Sequence, residues 1–548
     1  MIRPTLRHAA AAWIVTLAAA LTTAAAQAQP APLPSFAELE AAGARIGEIR
    51  VLPRNIFDTE NPQENVALFR WANRLHVVTR PEVVQAALLF QAGEPVSARL
   101  IEETERLLRA SGTLYDVQIR PVAVRDGVVD IEVVTRDTWS FEPGISIGRK
   151  GGRTDGSVRL REYNLLGTGW SVGVARSSTV DRTATEFGLA GERVFGTPVS
   201  IDLAYASAND GRARRAVLER PFDELDARRA FGLRVADDDR VDAVYRAGQV
   251  DSRFRHRAQR AEVYAGWSPG LIGRWVQRRT VGLQWVEDRY ATEPGLAAPP
   301  QLPPDQTLVL PYVSYQLLED RYERELNRNL VGRPEFFALG LNLRGQLGFA
   351  APALGSSRSA LRYAASASRG FLPGGGRTLM AAARLDSEFS DGLPRRQRLG
   401  LAAQYYQPQG PHRLFYAAVS ADRLTRPDPT AALLLGGDNG LRGYPLRYQS
   451  GSRRVLLTTE QRFYTDLYVW QLFRVGGAVF ADVGRAWGGP SAAGGSGARW
   501  LANVGAGLRI VSVRSAFGNV LHIDLATPVN APAGVGKVQL LVETKTSF

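Results

Sequence analysis

The chain has 548 residues, with 54 Gly, 31 Pro, no Cys and a formal charge of +13. A mean hydropathy of −0.16, with no central run of about 20 apolar residues, excludes a bundle of transmembrane helices. Basic residues are nearly all Arg, are interspersed with acids, and lack aromatics at base-stacking spacing, so no nucleic-acid partner is expected.

The N-terminus carries Arg3 and Arg7, an apolar run from Ala9 to Leu21, and "AQA" at Ala26–Ala28. Charged head, short apolar core and small-x-small exit predict a secretory signal peptide over 1–28. Export makes the lack of Cys meaningful: with no disulfides, packing and hydrogen bonding must hold the chain. Such a protein fits the periplasm or outer membrane of a Gram-negative bacterium. Residues 29–43 read as a linker, too short for a helix with its own connection.

Residues 44–138 predict a small mixed domain. Ile46, Ile49 and Val51 alternate as strand residues. Helical spacing follows at Val66, Phe69 and Leu75, and Pro81 sits at the first turn of a second helical segment. The segment 97–112 is the clearest helix, with Ser97 as cap, Leu100, Ile101, Thr104, Leu107 and Leu108 as apolar face, and Gly112 as stop. Two strands then flank an Asp126-Gly127 turn. The order is β-α-α-β-β, with an extra helical segment and an unusually long connection over 52–80.

From Trp139 to Phe548 the period changes to two, in segments of about ten residues separated by Gly, Pro, Asp and Arg turns. Membrane-crossing strands need about 9–11 tilted residues. Their backbone groups must be paired within the protein, so such a sheet closes on itself. Over 538–548, Val538, Leu540, Val542, Thr544, Thr546 and Phe548 share one face, suited to lipid, while Glu543 and Lys545 point inward. Val542, Thr544, Thr546 and Phe548 read as a C-terminal insertion signal. The Arg excess suits a barrel interior and loops.

Sharper readings fail on context. "GISIG" (144–148) matches a nucleophile-elbow pattern but lacks the strand-turn-helix setting and is expected to be the first barrel strand. His76, His256, His412 and His522 show no metal or triad spacing. "DDD" (237–239) reads as a solvated loop rather than a cation site. No enzyme, cofactor or metal is expected.

Several segments, in order and spacing, resemble the BamA/TamA family of outer-membrane assembly and translocation proteins. They are the helix–strand stretch 88–124, "LREYNLLGTGWSVGV" (160–174) with Asn164, Leu165, Gly167 and Gly169, "LRGYP" (441–445), "FADVG" (480–484), "GAGLRI", "IDLATP" and the terminal Phe. The resemblance implies a periplasmic POTRA domain of β-α-α-β-β fold followed by a 16-stranded transmembrane antiparallel barrel. Sharing 410 residues among sixteen strands gives about 26 per unit. It also implies that Arg442, on a lumenal loop with Leu441, Gly443, Tyr444 and Pro445, folds back onto Asp482 in a strand that includes Gly484. A bidentate Arg–carboxylate pair would fix that loop; Gly443 would permit a tight turn and Tyr444 would pack on the wall. Expected partners are outer-membrane lipids and lipopolysaccharide, and unfolded outer-membrane or secreted polypeptides. Polypeptides would add at the POTRA edge or at the seam between the first strand (141–148) and the last (538–548). The chain would assist insertion or translocation of polypeptides, or of lipids, using no nucleotide. The competing reading is a passive channel with a periplasmic scaffold domain.

Overall fold

The computed structural model describes residues 33–150, 153–246, 248–329, 334–488, 499–512, 520–529, 531 and 534–545. The expected signal peptide, Thr546 and Phe548 lie outside these.

The N-terminal part differs from the expected order. Helix α1 (Phe36–Ala41) occupies the segment read as a linker. It is held by a reciprocal cap in which the Glu38 amide donates to Ser35 Oγ and the Ser35 amide donates to the Glu38 carboxylate. Strand β1 (Arg45–Arg54) follows, then α2 (Ala67–Leu75), α3 (Pro81–Gln85) and α4 (Ala98–Ala110), then β2 (Leu114–Arg125) and β3 (Val128–Asp137). The β-α-α-β-β reading is therefore corrected: a leading helix and three helical segments surround a three-stranded sheet of order β1-β3-β2. The "RPEVVQAALLF" helix is only one turn long, because Ala86 already bonds back as its cap. Asp126 and Gly127 both take positive φ, as a two-residue turn between twisted strands requires. Ile46, Ile101, Leu108, Val117, Val129 and Ile131 form the core beneath α4.

The remainder is a closed antiparallel barrel from Phe141–Lys150 to Gln539–Lys545. It has 20 strands among the described residues, not sixteen, with the two-residue Leu271–Ile272 pairing taken as the end of its neighbouring hairpin. Near-minimal turns, such as those at Asp391-Gly392 and Trp470-Gln471, shorten each unit. The same length therefore holds more strands.

Register decides which side chains face out. Leu218, Leu233, Val263 and Leu283 are successive cross-strand partners, as are Val281, Val313 and Leu347, and all are exposed. They belong to an apolar outer band, a surface suited to hydrocarbon. Within the band, charged residues such as Glu219, Arg234 and Glu262 alternate to the inside. "DDD" lies within strand Arg229–Arg246 rather than in a loop, and its acids pair with Arg257, Arg240 and Arg255. "GISIG" falls in the first barrel strand.

Candidate functional site

The long connection after strand Arg413–Thr425 returns into the barrel before strand Arg453–Val469 begins. Its ends zip together as a short pairing of Leu433–Leu435 with Gln449–Gly451. Leu441 and Tyr444 are fully buried against Leu435, Ala486 and Leu501. Tyr444 also donates its hydroxyl to the Ala502 carbonyl at 3.3 Å. The large apolar residues around Arg442 thus seal the loop to the wall, and Pro445 accepts the Gly437 amide where the loop crosses itself.

Between these anchors Arg442 makes a bidentate pair with Asp482, from Nε and Nη2, both at 2.8 Å. Its Nη1 donates to Glu460 at 2.9 Å and Asp524 at 3.3 Å, and its guanidinium lies 3.3 Å from the Phe480 ring centre. Arg462 takes the other Glu460 oxygen at 3.0 Å, Arg509 holds Asp524, and Asn503 donates to Asp482 at 2.8 Å. Three arginines and three carboxylates so balance charge in a buried cluster. The sequence expectation named only Arg442 and Asp482; Glu460, Asp524, Arg462 and Arg509 were missed. They occupy ordinary inward positions of a period-two pattern, and only barrel closure brings them together.

Gly443 serves close approach rather than a tight turn. A β-carbon there would stand 2.6 Å from Asn503 Cβ and 3.1 Å from the Pro528 nitrogen. Gly484 similarly leaves room for Leu435 of the loop, 3.1 Å from where a β-carbon would sit.

A second arginine on the same loop was also missed. Arg447 donates to both oxygens of Asp181, at 2.8 and 2.6 Å, and lies over the Tyr245 ring. Tyr245 donates to Asp181 at 3.0 Å. The hydrogen bond from Arg447 holds the Asp181 carboxyl below its ordinary value. Arg442 binds strands near the C-terminal side of the seam, whereas Asp181 lies in the turn between the third and fourth barrel strands.

A hairpin of Tyr322–Leu326 and Pro334–Ala338 enters from the opposite end. Arg462 donates to the Arg328 carbonyl at 3.0 Å, and Tyr464 to the Asn327 carbonyl at 2.9 Å. Loop and hairpin therefore meet through Glu460 and Arg462.

The seam is sparse. The last strand pairs along its length with Val520–Pro528, yet with the first strand it shares, among the described residues, a single register pair, Val542 with Arg149. A cavity of about 520 Å³ lies inside it, lined by Asp155, Arg159, Glu186, Asp202, Arg215 and Glu543 among others. Val542 and Thr544 both lie in this strand.

The start-of-barrel motif forms a socket for the N-terminal part. Asn164 accepts the Gly169 amide at 2.8 Å and donates to Thr79 Oγ1 at 2.7 Å, and the Gly167 carbonyl accepts the Arg80 amide at 2.9 Å. A β-carbon on Gly167 would collide with the Val78 carbonyl. Thr79 and His76 converge on Asp137, with His76 Nε2 at 2.7 Å and Ser140 Oγ 3.3 Å from its Nδ1. Ser140, His76 and Asp137 thus lie in a row that sequence spacing did not reveal. Buried between the sheet and the barrel, they act as a joint. His256 bonds Asp242 and Asp288. No metal-holding group of His, Cys, Asp or Glu occurs among the described residues.

No family model matches the sequence, and no curated protein matches it. The structural neighbours include BamA and CdiB. BamA from Haemophilus ducreyi lacking POTRA domains 1-3 aligns at 13% identity over 92% of this chain and 84% of that one, with a TM-score of 0.38. CdiB from Acinetobacter baumannii aligns at 12% identity over 91% and 73%, TM-score 0.46. CdiB from Escherichia coli aligns at 13% identity over 92% and 76%, TM-score 0.47.

Proposed function

We propose that this chain is an integral outer-membrane β-barrel that assists insertion or translocation of polypeptides through its first-to-last-strand seam. The observation that carries the reading is the seam itself: among the described residues it shows one register pair, in a barrel whose other neighbouring strands pair over long stretches. An incoming strand could add at this short-paired edge, with a polar cavity behind it. Energy comes from the substrate folding into lipid, so no bound nucleotide is needed. The apolar outer band supports the membrane setting.

Because the chain lacks Cys, a cystine across the seam can be installed cleanly at Arg149→Cys and Val542→Cys. In proteoliposomes, the oxidised protein should lose assistance of substrate-barrel insertion and regain it on reduction. Full activity with the seam locked would sink the proposal.

A further inference from the structure

The long connection between β1 and α3 remains unaccounted for by the barrel. Its helix α2 has two apolar faces. Phe69 and Ala72 are buried with Ile56 and Phe57, packed against Trp139 and Leu472. Leu68, Trp71 and Leu75 form the other face and stand 57–59% exposed. Such a face on a helix already seated by its neighbouring face is not required for folding. Exposed Arg70 and Arg74 border it on the side away from the buried face.

The face is continuous with the outside of the barrel. Leu75 and Val77 share a groove of about 300 Å³ with Phe141, Leu165 and Leu166. Phe141 opens the first barrel strand, and its face carries on through Pro143, whose cross-strand partner Leu160 is exposed in the outer band. The exposed helix face, the groove and the band therefore form one apolar surface that turns the corner from barrel wall to barrel rim, beside the first strand of the seam.

We propose that α2 is a membrane-surface contact, with Leu68, Trp71 and Leu75 seated at the acyl–headgroup boundary of the adjacent leaflet and Arg70 and Arg74 among its phosphates. An amphipathic helix with an aromatic anchor and flanking arginines suits that boundary. The arrangement would hold the N-terminal sheet against the bilayer next to the seam. The inference rests on the membrane-barrel reading, and its test separates the two.

Single cysteines are placed at Trp71, at Leu160 in the outer band, and at exposed Glu60. Each full-length variant is labelled with an environment-sensitive fluorophore. It is reconstituted in vesicles of phosphatidylethanolamine and phosphatidylglycerol containing lipids spin-labelled near the headgroup, and folding is checked by heat-modifiable gel mobility. Quenching at position 71 should be several-fold above that at 60, with 160 also quenched. Quenching at 160 but not at 71 overturns the helix proposal and leaves the barrel reading standing. Quenching at neither overturns both. A Leu68→Ala variant labelled at 71 supplies a milder perturbation and should be quenched less than its parent; equal quenching would count against the face as the seat of contact.

Discussion

Arg442 and Arg447 leave the same loop and end on opposite flanks of the barrel seam. Arg442 is fastened to Asp482, Glu460 and Asp524 on the C-terminal strands, and Arg447 to Asp181 near the N-terminal strands. The loop is therefore a strap that ties the C-terminal wall of the barrel to its N-terminal side. Its two fastenings differ in kind: the first is buried, while Asp181 is substantially exposed.

Removing Arg442 leaves three buried carboxylates with two arginines and takes from Asp482 its bidentate partner. Arg442→Ala should cost about 3–5 kcal/mol, the range for breaking a buried ion pair, read as a lower temperature for loss of the compact form on heated gels. The double variant with Asp482→Ala should lose less than the sum of the single losses, because the groups touch. Strict additivity would mean that the pair is not formed.

Arg447→Ala should leave barrel stability nearly unchanged, since the pair is exposed and such pairs contribute at most about 1 kcal/mol. It should loosen the loop, seen as narrower spin-label spectra from a cysteine at Asn439. An unchanged spectrum would argue that the second fastening does not restrain the strap.

The same contact sets a pH response. Asp181 has its carboxyl lowered from the ordinary 3.8 by the Arg447 hydrogen bond. A depressed folded value means that the contribution is present above 3.8 and is lost as pH falls through the folded value. The Asn439 label should stay immobile from neutral pH down to that ordinary value and gain mobility only under stronger acid. Release near neutral pH would assign the restraint to another group.

Gly443→Ala tests the close approach of loop to wall. The added carbon meets Asn503 and the Pro528 backbone, so it should cost about 1–3 kcal/mol as an overpacked contact. Asn503→Gly, which removes the nearest carbon, should partly relieve it. A neutral Gly443→Ala would show that the loop seats farther from the wall.

The lumen contents separate assistance from passive conduction. Loop and hairpin meet at Glu460 and Arg462, and Arg328 is buried while donating to the Gly376 carbonyl at 2.8 Å. The intact protein should show low conductance in planar bilayers, and replacing 322–338 with a short glycine turn should raise it. A large steady conductance in the intact protein would favour the passive channel.

The sequence by itself determined the local character of the chain. Period-two alternation marked the strands from residue 141, because side chains on a strand must alternate between lipid and lumen. The Arg442–Asp482 pairing was implied only by the resemblance of two short motifs to a known family. The helix over 98–110 was legible through its cap and apolar spacing. Tertiary structure alone decided how many strands close the barrel, since closure depends on the register of every pairing together and on how short the turns are. It also decided which wall each arginine reaches: Arg447 and Asp181 are 266 positions apart and carry no mutual signal in the chain. The inward hairpin at 322–338 is of the same kind. The wall holds it there, with Arg462 and Tyr464 donating to its carbonyls.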